Sequence, residues 1–168
     1  MTSTTVWQTI EASSLGVTIA ESEWMFPTIE TIHVIAIVTV IGAIAIMDLR
    51  LLGLTSGSKS VAAMERDTLP LTWGAFALAV LTGTLLFISK ASTYMANPYF
   101  LWKMGLMLLA GVNMVIFHRV VSRGVATWGA PGASTPASAK LSGLLSLALW
   151  MVIPFCGRIV GFTLGVYY

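Results

Sequence analysis

The chain has 168 residues, 57% of them hydrophobic and only 10% charged, with a mean hydropathy of +0.87 and a net charge of +2. That balance excludes a charge-coated soluble globule and gives no basic footprint for nucleic acid, so no nucleic-acid partner is expected. The single Cys156 excludes an internal disulfide.

Residues 1–26 contain no Lys or Arg but carry Glu11, Glu21 and Glu23. They lack the basic and apolar regions of a signal peptide. Val6, Trp7, Ile10, Leu15, Val17 and Ile19 alternate with polar groups. The expectation is an amphipathic helix at the outer membrane interface, with Trp7 and Trp24 at headgroup depth.

Four apolar runs follow, about 27–54, 70–92, 98–121 and 141–166. About 20 residues at 1.5 Å each cross a ~30 Å hydrocarbon core, so each run is a candidate transmembrane helix. Pro27, Pro70 and Pro98 sit where a helix can open, because a first-turn N–H has no helical partner. The expected fold is all-α: an up-down four-helix transmembrane bundle over 27–168, preceded by the interfacial segment. The short connection 91–97 implies a tight hairpin of helices two and three. The stretch 129–139, rich in Gly, Ala, Ser and Pro, reads as a mobile loop. Gly42, Ala43, Gly83, Gly111 and Gly143 read as small packing residues.

Basic residues cluster in two of the connections: Arg50, Lys59 and Arg66 in the first, and Arg119, Arg123 and Lys140 in the third. The positive-inside rule makes both cytoplasmic. The N- and C-termini then face outward, periplasmic if this is a bacterial inner-membrane protein. The lipid bilayer is the first partner.

Function rests on the ionisable residues inside the runs, because such groups face a partner or a cavity. They are Glu30, His33, Asp48, Arg50, Lys103, His118 and Arg158. Helix rise puts His33 about 9 Å past Pro27 and His118 about 30 Å past Pro98. These helices run the same way, so the two histidines cannot clamp one haem within one subunit. Met104 falls level with His33, and Met47 level with His118. Each level therefore offers a His–Met pair, an axial set for haem iron and a plausible one for copper. Glu30 and His33 share a face and have the spacing of half a di-iron site, which makes Glu30, His33 and His118 the candidate metal ligands. Arg158 and Lys103 reach the depth of His33 and can hold haem propionates, while a Glu30–Arg158 ion pair is the structural alternative. Near the inner face, Asp48 is expected to pair with Arg50 or Arg119. Thr39, Thr82, Thr84 and Asn113 are the mid-depth hydrogen-bonding groups. Motifs of nucleophilic, phosphate-binding or zinc enzymes are absent, which leans away from a catalytic activity of its own.

Trp24-x-x-Pro27, Glu30-Thr-Ile-His33, Asp48-Leu-Arg-Leu-Leu-Gly53, Phe117-His-Arg119 and Cys156-Gly-Arg158 together resemble a group of small, uncharacterised bacterial inner-membrane proteins. The resemblance covers nearly the whole chain. More distantly the arrangement is similar to copper-resistance D-type membrane domains and small b-type cytochrome bundles. That link implies haem b or copper, and an electron-transfer or anchoring subunit of a larger oxidoreductase complex or a homo-oligomer. A dimer would bring two copies of His33 together. The alternatives are an accessory subunit without cofactor and a copper or proton permease.

Overall fold

The computed structural model describes residues 5–55 and 57–167; residues 1–4 of the N-terminal segment, Ser56 and Tyr168 lie outside them. The N-terminal segment folds as two short helices rather than one, α1 (Val6–Glu11) and α2 (Ser14–Glu21). Thr5 and Gln8 cap α1 reciprocally, and the Ser13 side chain accepts the Gly16 N–H at 3.2 Å. Each cap starts a new helix, so the segment breaks at residues 12–13. The pair is strapped to the bundle. Ile19 is fully buried. The Trp7 ring meets Phe87 edge-on at 5.9 Å. The Glu11 carboxylate accepts both the Ser92 N–H, at 3.0 Å, and the Ser92 hydroxyl. A Cβ at Gly16 would lie 3.1 Å from the Ile88 carbonyl, so only glycine lets the strap lie this close.

Four long helices follow: α3 (Met25–Leu52), α4 (Val61–Ser89), α6 (Pro98–Arg119) and α8 (Ala137–Thr163). All four are long and apolar enough to cross a membrane. The shortest has 22 residues, about 33 Å of helix. Short helices fill the connections: α5 (Ala91–Ala96) between α4 and α6, and α7 (Val125–Trp128) after a 3-10 turn at Val121–Gly124. No strand occurs among the described residues.

Two of the three expected proline starts differ. Only Pro98 opens its helix; Pro27 is the third residue of α3, and Pro70 lies inside α4. The start of α4 belongs to Ser60, whose hydroxyl accepts the Ala63 N–H at 3.1 Å. That cap adds nine residues before Pro70 and carries Glu65 into the helix.

The expected hairpin of the second and third long helices does not form. α3 packs between α4 and α8, and α6 packs on α8, so the order across the bundle is α4–α3–α8–α6. Asn97 supplies the reason. It is fully buried, its side-chain oxygen caps α6 at the Tyr99 N–H (3.0 Å), and its amide donates to Thr163 Oγ1 of α8 at 2.9 Å. The start of α6 is thereby drawn to α8 and away from α4. α4 and α6 do not pack closely. Phe87 stacks on Phe100 at 5.8 Å at the end that carries α1 and α2, called the outer end after the expected topology, and the Glu65 carboxylate lies 3.4 Å from His118 Nε2 at the opposite, inner end.

The inner loops are ordered against one another, contrary to the mobile reading of 129–139. The Val61 N–H donates to the Gly129 carbonyl (2.8 Å) and the Gly132 N–H to the Gly57 carbonyl (2.9 Å). Arg50, 2% exposed, donates to the Lys59 carbonyl at 3.1 Å and to the Ala130 carbonyl at 3.3 Å, which ties both loops to the end of α3. Gly132, at φ 74°, makes a turn that a side chain would strain.

Candidate functional site

His33 lies on α3 two turns inside the outer end and is half-buried against α4. Its Nδ1 is 2.9 Å from Thr82 Oγ1. The Thr82 hydroxyl has one proton, and its shortest contact, 2.7 Å, is donation to the Leu78 carbonyl in the preceding turn. On this network the Nδ1–H of His33 donates to Thr82. Nε2 then keeps its lone pair; the other contact of the ring is with the backbone at Ala79. A metal-ligating histidine has the same arrangement: one nitrogen oriented by a hydrogen bond, the other with its lone pair.

Gly83 makes room for the ring. A Cβ there would lie 2.9 Å from His33 Cε1, closer than side chains tolerate. The sequence reading of Gly83 as a packing residue therefore understates it, since what packs on it is the imidazole. Lys103 of α6 arrives from the other side, lying across Gly157 of α8, where a Cβ would be 3.7 Å from Nζ. All four long helices thus supply a residue at similar depth: His33, Thr82 with Gly83, Lys103, and Gly157.

The other expected site residues are placed elsewhere. Met104 is 47% exposed on α6. Met47 packs at the inner end against the cluster of Leu51, Val61 and Ala139. No hydrogen bond joins either methionine to either histidine among the described residues. His118 has both ring nitrogens engaged: Nδ1 with the Met114 carbonyl at 2.9 Å and Nε2 with Glu65. Glu30 is exposed near the outer end. Arg158 lies 4.7 Å over the Phe162 ring on the lipid-facing side of α8, so the Glu30–Arg158 ion pair is not formed. No group of three His, Cys, Asp or Glu side chains converges to hold a metal among the described residues.

The expected ion pair of Asp48 with Arg50 or Arg119 is also absent. Asp48 is 5% exposed and its Oδ2 has no partner. Arg50 points away, because the loop carbonyls take its donors. Deeper polar order comes from Asn113 and Ser142, which exchange hydrogen bonds between α6 and α8 at 3.0 and 3.1 Å. Two open surface pockets, about 390 and 350 Å³, lie around Glu11 and Ser89, and His33 lines neither.

The fold and these polar positions define the class: an integral membrane protein built as a four-helix bundle. No protein-family model, curated protein or solved structure matches the chain.

Proposed function

We propose that this bundle is a haem-binding electron-transfer or anchoring subunit of a larger assembly in a bacterial inner membrane, with His33 as its axial ligand. The observation that carries the reading is the Nε2 lone pair of His33, on a ring oriented by Thr82 and seated on Gly83. Haem is favoured over bare copper by ligand count. Haem brings four nitrogen ligands of its own, so one protein imidazole suffices to attach it. A copper ion needs a protein ligand set, and no group of three His, Cys, Asp or Glu side chains converges among the described residues. Lys103 would hold a propionate, by charge and by its place at the level of His33. When bound, the haem supplies one-electron redox chemistry. The chain's own contribution is to orient the imidazole, exclude water with apolar helix faces and offset negative charge.

We assign His33 no second axial ligand from the described residues. Met104 faces outward and His118 is engaged by Glu65. A partner chain, such as a second copy of this one, would supply it. The resemblance to small inner-membrane proteins and b-type cytochrome bundles supports the same reading, as does the basic bias of the first and third connections, which would leave both termini outside.

The test is an oxidised and dithionite-reduced absorption spectrum of the detergent-purified protein after haem-sufficient expression, with metal analysis of the same sample. A Soret band that shifts on reduction and disappears in His33→Ala is the expected result. A second reading, an accessory subunit without cofactor, is favoured by the engagement of His118, Arg50 and Asn113 with the protein itself. It predicts a featureless spectrum and a His33→Ala protein that is as stable as the parent.

A further inference from the structure

Three basic side chains in the outer half of the bundle lack a carboxylate within 4.0 Å among the described residues: Lys90, Lys103 and Arg158. Two of them have an aromatic substitute. Lys90 Nζ lies 4.8 Å over the Phe26 ring, and Arg158 lies 4.7 Å over Phe162. Lys103 has neither acid nor ring. It stands five residues past Pro98, about 7.5 Å below the outer end of α6. A lysine at that depth ordinarily snorkels toward the headgroups. This one instead lies along α8, with Cδ, Cε and Nζ all 3.7–3.9 Å from the Cβ position of Gly157. A lone ammonium at hydrocarbon depth is costly unless something of opposite charge meets it.

α4 and α6 do not pack closely along their lengths, and Phe87 stacks on Phe100 toward the outer end. Phe100 precedes Lys103 by three residues and so shares its face of α6. An anionic oxygen group can therefore reach Lys103 from the outer leaflet beneath the aromatic stack. We infer that Lys103, lying over Gly157, is a seat for the phosphate of an anionic phospholipid entering between α4 and α6. The charge match selects the occupant: a phosphodiester held by a primary ammonium, with acyl chains continuing along the apolar faces of α4 and α6. The proposal stands apart from the haem reading, in which a propionate uses the same ammonium; the two groups would compete.

The test uses the full chain reconstituted in nanodiscs of phosphatidylglycerol or phosphatidylcholine, then released into detergent and weighed by native mass spectrometry. Haem-free copies of the intact protein, which the mass resolves, are expected to retain phosphatidylglycerol and lose phosphatidylcholine. Lys103→Gln should lower phosphatidylglycerol retention at least tenfold, while Lys103→Arg, Arg158→Gln and His33→Ala keep it. Millimolar inorganic phosphate should fail to displace the lipid; displacement would assign the seat to a free anion and overturn the lipid claim. Equal retention of both lipids, or retention unchanged in Lys103→Gln, would also overturn it. His33→Ala separates the two proposals, since it removes haem and leaves the lipid.

Discussion

The contact between Thr82 and His33 shows how one hydroxyl decides the character of a ring. Because Thr82 gives its proton to the Leu78 carbonyl, it can only accept from His33. Replacing Thr82 with valine keeps the shape and removes the acceptor. The imidazole is then free to rotate or to change tautomer, and haem affinity should fall about 10–100-fold, as for other groups that hydrogen-bond a metal-bound histidine. Haem titration of the purified variant measures this; an unchanged affinity would mean that Thr82 does not orient the ligand. His33, Lys103 and Thr82 are each visible in the sequence as polar groups inside apolar runs. Their grouping is not, because helix rise gives depth but not which neighbour a side chain turns toward. Asp48 and Arg50 illustrate the same limit. Their depths agree, yet loop carbonyls outcompete the carboxylate for the guanidinium.

At the scale of elements, the four spans were legible from length and hydropathy alone, because a bilayer demands about 20 apolar residues per crossing. The helix starts were less so. Ser60 begins α4 ten residues before Pro70, and a capping hydroxyl in a polar stretch carries a weaker signal than a proline. The neighbour relations of the helices were not legible either. A short connection suggests a hairpin, but Asn97 binds α8 and overrides it. The order of the inner loops depends on Arg50. Arg50→Ala leaves the Lys59 and Ala130 carbonyls unpaired, at about 1–3 kcal/mol for each one that stays buried. The segment 129–136 should then become cleavable by protease added to the detergent-purified protein, while the parent resists; equal resistance would mean that the backbone bonds alone hold the loops.

Tyr94 of α5 gives the outer end a pH dependence. Its ring stacks on Phe87 and lies 5.2 Å from Phe100, and burial, with a smaller contribution from the Glu30 charge, pushes its phenol from 10.0 up to about 12. The folded protein therefore binds the phenolic proton more tightly than the unfolded chain does. The stabilisation is complete below pH 10 and is lost as pH rises toward 12. Thermal unfolding of the parent should show a decline in stability between pH 10 and 12 that is smaller in Tyr94→Phe. Identical profiles would remove Tyr94 as its source.

For the whole molecule, the bundle is a chain of neighbours, α4–α3–α8–α6, whose first and last members do not pack closely. The outer half holds His33 and Lys103, while the inner half is closed by Arg50, the paired loops and the Asn113–Ser142 exchange, with the Asp48 Oδ2 left unpaired among them. That asymmetry places the proposed chemistry on the side of α1 and α2. The most direct measurement is the reduced-minus-oxidised spectrum of His33→Gly, taken with and without added imidazole. The account predicts that the haem band of the parent is lost in the variant and returns when free imidazole fills the space. A band that survives in His33→Gly without imidazole, or a parent protein with no band at all, would contradict it.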